Sequence, residues 1–316
     1  MVEQVSSARN ASSGAPVRQT SAWSRFWQND APGYLFLLPW LVGFLGLTIG
    51  PMLTSAYLSF TDFDLLTSPD WVGADNYIRM FSNDPKFWTS MRVTMFFVIF
   101  SVPLKLCFAL AVAMLLNRGI RGLPMYRALF YLPSLLGASV AIAILWRQIF
   151  AGDGLVNQVL AMIGIAGPSW ISNPKTSLWT LIILSIWQFG SPMIIFLAGL
   201  RQIPTDMYEA ASLDGASKWR QFVKITLPLL TPVVFFNAII QTIEAFKSFT
   251  PAFIISGGTG NPINSTLFYT LYLYQEAFAF FRMGYASALA WVLLALVGIF
   301  TAVSFLTSKY WVHYDE

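Results

Sequence analysis

The chain has 316 residues, of which 56% are hydrophobic and 11% charged, with a net charge of +4. An average soluble domain carries roughly 25% charged residues, so too few polar side chains remain here to cover a water-facing surface, and the mean hydropathy of +0.60 agrees. One cysteine, Cys107, excludes an intrachain disulfide, one histidine, His313, leaves no His/Cys metal cluster, and no basic run with interleaved aromatics argues for nucleic acid.

Residues 1–31 are rich in Ser, Ala and Arg without a hydrophobic period, and read as a flexible tail. The apolar run that starts near Gly33 is longer than a cleaved signal's core and reads as a first membrane span. Apolar runs then mark spans at about 32–61, 89–116, 128–146, 176–200, 229–253 and 283–308, the second carrying Lys105 inside it and the fifth running past Glu244 and Lys247. Each suffices for a helix rising 1.5 Å per residue across a core of about 30 Å. Barrel strands would be shorter and strictly alternating. The expected fold is therefore an all-α integral membrane protein, with a six-helix domain over 32–308 and a short tail over 309–316.

With six spans both termini share a side. The N-terminal tail, the 117–127 and 201–228 loops and the C-terminal tail hold 3, 3, 4 and 1 basic residues. The opposite loops hold Arg79, Lys86, Lys175 and Arg282, with Arg92 and Arg147 at their edges. The richer set is expected to be cytoplasmic. The loop 60–88, with five Asp and several aromatics, is then an external cap.

The 201–228 loop, between the fourth and fifth spans, is the most informative polar segment. Asp206 and Glu209 have capping-box spacing, predicting a short helix through Ala210, Ala211 and Leu213. Asp214-Gly215 predicts its end. A second short helix is expected from Ser217, with Trp219, Phe222 and Val223 on one side and Lys218, Arg220, Gln221 and Lys224 on the other. Pro228 ends it or opens the next span. Such a block either rests on anionic lipid or docks a protein partner, and the acidic Glu209 and Asp214 are of little use to the first.

Glu209-Ala210-Ala211, three residues, Gly215, nine residues, then Ile225-x-Leu227-Pro228 resembles the EAA loop of ABC importer permeases in residue type and spacing. Flanking residues, "LAGLRQIPTDMYEAASLDGASKW", are similar to the sugar-importer branch, the maltose and glycerol-phosphate permease subunits. The later "SGGTGNPINSTLFYTLYLYQEAF" looks like the first subunit of maltose-type pairs. The likeness covers about 35–308. It implies a permease of a binding-protein-dependent importer for a sugar, oligosaccharide or polyol, in a bacterial or archaeal plasma membrane, working by alternating access. The implied partners are a second, homologous permease, an ABC ATPase dimer and an extracytoplasmic binding protein. It further implies a coupling helix that sits in a cleft of the ATPase, with Glu209 the docking charge and Gly215 the turn, and Ala210, Ala211, Asp214, Ile225, Leu227 and Pro228 belonging to the same motif. ATP and Mg would be held by the ATPase, not by this chain. Consistently, "GGTGNPINST" (257–266) lacks the Lys of a phosphate-binding loop.

Polar residues inside spans are costly and line cavities or helix contacts. Asn237, Gln241, Glu244 and Ser248 fall within about 60° on a helix of 3.6 residues per turn. They form either a wall of the path or a seam of interhelical hydrogen bonds, with Glu244 and Lys247 able to pair at i,i+3. Ser185, Gln188 and Ser191 form a weaker set in the fourth span, where Pro192 predicts a kink. Lys105 reads as snorkelling toward the cytoplasm or pairing inside the bundle. Among the tryptophans, which mostly suit interfacial belts, Trp187 beside Gln188 is a candidate to stack on a sugar. The rival reading is an ion-coupled secondary transporter, which predicts inverted repeats and transport without an ATPase. A membrane enzyme would need clustered His, Asp or Glu, and the acids of 60–88 are scattered.

Overall fold

The structure is a computed structural model of the whole chain, and residues 31–119, 122–137 and 139–313 are described here. The tail expected over 1–31 lies outside them apart from Ala31, as do residues 314–316 of the expected C-terminal tail. The chain divides into two compact units, 1–54 and 55–316.

The described part of the first unit is helical. Helix α1 (Ala31–Phe44) passes through a π turn (Leu45–Ile49) into α2 (Gly50–Leu58), which runs on into the second unit. None of the described side chains between 34 and 54 is buried, and Phe36 and Leu47 are more than 80% exposed. Apolar exposure on this scale suits lipid, not water.

The second unit opens with an antiparallel pair, β1 (Thr61–Asp62) and β2 (Asp70–Trp71), and a short helix α3 (Asp75–Asn83). The Asn76 amide donates to the carbonyls of Ser59 and Thr61 at 3.0 and 2.9 Å, fastening α3 beneath the hairpin. Helix α4 (Pro85–Leu116) starts four residues before the expected 89. The reason is local: Asp84 caps it, accepting from the Lys86 and Phe87 amides at 2.9 and 3.1 Å, and Pro85 supplies a preset first-turn φ.

The expected third span, 128–146, is not one helix. It is α5 (Leu123–Leu136) and α6 (Val140–Ile149), bent by 95°. Pro133 cannot donate within α5, and Ser139 adopts an extended conformation and caps α6 by accepting from the Ile142 amide. Helix α7 (Leu155–Met162) follows. The fourth span is also a broken pair, α8 (Ser177–Trp187) and α9 (Gly190–Leu200), bent by 43°. After two short helices, α10 (Thr205–Leu213) and α11 (Lys218–Gln221), a π segment (Phe222–Thr226) leads without a stop into α12 (Leu227–Phe246). The expected 229–253 run is interrupted after Phe246, and α13 (Thr250–Ser256) restarts with Pro251 in its first turn. Helix α14 (Tyr269–Tyr274), a π segment (Gln275–Ala279) and α15 (Met283–Ser308) complete the unit, the last with the expected bounds.

Among the described residues, four helical runs are long and apolar enough to cross a membrane, or six when each bent pair is one span. The fold is thus an all-α membrane protein with one minimal hairpin. Helix α4 is its axis, packed against α8, α9 and α12. Its buried seam mixes Phe97, Val102 and Leu106 with the small Ser90, Thr94, Ser101, Ala109 and Ala113. Small side chains let helix backbones approach where lipid supplies no hydrophobic drive for association. One such residue also bonds: the Tyr269 amide donates to Thr94 Oγ1 at 2.8 Å, and the Tyr269 hydroxyl to the Leu289 carbonyl at 2.8 Å, joining α4, α14 and α15.

A helical hairpin and a polar cleft

The segment 205–226 folds as two short helices closed on each other. Helix α10 begins at Thr205, so Asp206 sits in its first turn, not at its cap. The predicted capping box is therefore absent, because the cap position falls on Pro204 and no side chain bonds there. The end is as expected. Asp214 caps α10, and Gly215 has φ +76°, a conformation a side chain resists, with open space around it. Ser217 then caps α11 by accepting from the Arg220 amide at 3.3 Å. Gln221 does not join the polar outer side. It is buried, and its amide donates to Ser212 Oγ at 2.8 Å. Tyr208 and Thr226 hydroxyls meet at 2.9 Å. These two contacts hold the hairpin shut from within. Its outside presents Glu209, Ala210 and Asp214, together with Leu213 at 90% and Trp219 at 73% exposure. Ala211 and Ile225 are half-buried, Leu227 is exposed, and Pro228 lies in the first turn of α12, so it opens the next span.

A cleft of about 210 Å³ lies between α4, α8 and α12. Gln241, Glu244 and Ser248 of the predicted stripe line it, with Ser185 and Gln188 from the fourth span. Asn237 does not. It is fully buried, and its side-chain amide has no partner among the described residues. Trp187 is not on the wall either and packs 5.9 Å from Trp146. Glu244 and Lys247 pair at 3.2 Å, both side chains 61% exposed.

Gln188 stands at the break of the fourth span. Pro192 has no amide hydrogen to give the carbonyl four residues back, which is that of Gln188. Ser134 Oγ donates to that carbonyl instead, at 2.9 Å, and accepts from the Ser191 amide at 3.0 Å. The expected kink thus appears ahead of the proline, and a serine of α5 satisfies the freed groups. The Gln188 side chain donates to the Gly137 carbonyl at 3.1 Å.

Two features escape a reading of the sequence. Lys105 lines the cleft, and among the described residues no hydrogen bond or ion pair is made by its ammonium. A lone lysine in an apolar run signals only that something polar must lie nearby. The second is Asp84. Its Oδ1 caps α4, while Oδ2 accepts from the hydroxyls of Tyr272 and Tyr285. Burial alone would raise this carboxyl, but the two tyrosine and two backbone hydrogen bonds outweigh it and hold the group below the usual carboxylate range. Tyr272 is pushed well up, first by burial and then by that bond. The partners are 188 and 201 residues away in sequence, beyond any local signal.

The family described as binding-protein-dependent transport system inner membrane component matches residues 35–310. The chain is 54% identical over 290 residues to the probable ABC transporter permease protein YesP of Bacillus subtilis (strain 168), covering 92% of this chain and 94% of that one. It is 33% identical over 286 residues to the lactose transport system permease protein LacF of Rhizobium radiobacter, covering 89% and 95%. Among solved structures it is similar to a bacterial ABC transporter involved in the import of the acidic polysaccharide alginate, at TM-score 0.74 and 21% identity over 91% of this chain and 98% of that one, a likeness of fold. With the matched family spanning nearly all of its helices, the chain belongs to the binding-protein-dependent transport system inner membrane components, as the multi-pass, non-catalytic permease of an ABC importer.

Proposed function

We propose that this permease imports a saccharide or related polyol by alternating access, driven by ATPase subunits that dock on the 205–226 hairpin. The observation that carries the reading is the hairpin itself. Leu213 and Trp219 are exposed beside Glu209 and Asp214, while Gln221 and Tyr208 brace the fold from inside. An apolar tip ringed by both signs of charge suits a protein cleft better than a lipid surface. Because the π segment joins α11 to α12 without a stop, a push on the hairpin is carried along a span to the cleft.

In this reading both termini and the hairpin are cytoplasmic, by the excess of Lys and Arg on that side. A homologous permease completes the path, the ATPases hold ATP and Mg, and an extracytoplasmic protein delivers the substrate. Relatives named for lactose and for arabinooligosaccharides support a saccharide. Gln188, Gln241, Glu244 and Ser248 supply amide, carboxylate and hydroxyl groups suited to sugar hydroxyls, and the buried Asn237 serves helix packing.

Copurification tests the proposal. The tagged chain in mild detergent is expected to retain an ATPase and a second permease, and Glu209→Lys or Gly215→Pro to release the ATPase or uncouple its activity. A wild-type chain that emerges alone and transports without ATP overturns it in favour of ion-coupled transport.

A further inference from the structure

Lys105 lies eleven residues before the end of α4, about 17 Å along the axis at 1.5 Å per residue. It faces the cleft between α4, α8 and α12. Three charges line that cleft: Lys105, Glu244 and Lys247. Glu244 is bonded to Lys247 at 3.2 Å, and no carboxylate approaches within 4.0 Å of Lys105 among the described residues. One minus and two plus charges leave the cleft at +1: Glu244 bonds Lys247 and attracts Lys105 only from beyond ion-pair distance, so among the described residues the Lys105 ammonium has no direct partner. A cation held in a span costs free energy unless it meets water or an anion. The two glutamines and Ser248 around it are neutral and recognise hydroxyls as well as any acid group. They give the cleft no means of choosing a charged sugar over a neutral one; Lys105 does.

We infer that the permeated substrate is an anionic saccharide bearing a carboxylate, and that Lys105 is its counter-charge and a specificity-determining residue. The inference rests on the pathway reading given above. Sugar hydroxyls meet Gln188, Gln241 and Ser248, while the carboxylate pairs with Lys105. The Glu244–Lys247 pair, neutral as a unit, adds no second anion site.

The experiment uses the whole importer, reconstituted with its ATPase, second permease and binding protein in liposomes. ATP-driven uptake is measured for labelled uronic-acid mono-, di- and trisaccharides, each beside its carboxyl-reduced neutral counterpart. The binding protein is the same throughout, so differences between permease variants belong to this chain. At least one acidic member is expected to enter, and Lys105→Met to slow it by about tenfold or more, the loss expected when a desolvated charge loses its partner. Lys105→Arg should retain most of the rate. Lys105→Met should slow any neutral counterpart that enters clearly less than the acidic member, since the neutral form has no carboxylate to lose its partner. Entry of neutral members alone, equal slowing of acid and neutral forms, or no effect of Lys105→Met overturns the charge assignment. Gln188→Leu and Gln241→Leu separate the two levels. If they slow uptake while Lys105→Met does not, the path stands and only the charge assignment falls. If none of the three matters, the path reading falls as well.

Discussion

Ser134 Oγ donates to the Gln188 carbonyl at 2.9 Å and accepts from the Ser191 amide at 3.0 Å, so one hydroxyl of α5 closes both ends of the break between α8 and α9. The break exists because Pro192 withholds a donor, and it survives in an apolar setting because Ser134 supplies the bonds. Inside a membrane, unpaired backbone groups are tolerated only when a neighbour satisfies them. Ser134→Ala removes a donor and an acceptor at once. It is expected to destabilise the permease by about 1–3 kcal/mol, read as a lower midpoint of thermal unfolding in detergent. Ser134→Thr, which keeps the hydroxyl, should lose less.

Gly190 lies at the same crossing. A Cβ there would meet the Phe130 carbonyl and stand 2.7 Å from Tyr131 Cα, both backbone atoms that cannot swing aside. Gly190→Ala should therefore part α5 from α9 and cost about 1–3 kcal/mol, the usual scale of overpacking. Gly46, with nothing near its would-be Cβ, is the control, and Gly46→Ala should leave the unfolding midpoint nearly unchanged.

Gln221 is the internal brace of the hairpin, with its amide 2.8 Å from Ser212 Oγ. Gln221→Leu keeps the volume but removes the donor. We expect α10 and α11 to loosen, and substrate-stimulated ATPase activity of the assembled importer to fall while its basal activity remains. Proteolysis between Ala210 and Lys218 should speed up in the same variant.

Asp84 couples the cap of α4 to Tyr272 and Tyr285. Its carboxyl is held below the ordinary 3.8 in the folded chain. A depressed carboxyl contributes stability that is complete above its unfolded value and lost as pH falls through the folded one. Stability should therefore drop as the pH goes below about 4. Asp84→Asn keeps the cap through Oδ1 but places an NH₂ where both tyrosines need an acceptor. This variant should be less stable at neutral pH and show a shallower acid dependence, measured as unfolding midpoints across a pH series.

Local chemistry made much of this legible. The apolar runs located the spans, because a lipid core of about 30 Å demands about 20 apolar residues whatever the neighbours do. The Met283–Ser308 helix has its expected bounds for that reason. Asp214-Gly215 and Ser217 marked the turn and the start of the second helix, since φ preference and helix entry depend on a few adjacent residues. Pro192 announced a kink. The misses are equally instructive. Asp206 did not cap α10, because helix entry is set by the chain path through Pro204 as well as by residue type. Helix periodicity placed Asn237 with Gln241, Glu244 and Ser248, yet only the last three reach the cleft.

The sequence by itself determined that this is a multi-span membrane protein and which loop carries the EAA pattern, since hydropathy and short motifs are properties of neighbouring residues. Only the tertiary structure decided that the third span turns through 95°, that Ser134 answers Pro192 across 58 positions, that Asp84 binds two distant tyrosines, and that Lys105 lies in the cleft with Gln188 and Gln241. Helix packing chooses which polar groups meet, and in an apolar medium each such group must find its partner on another helix.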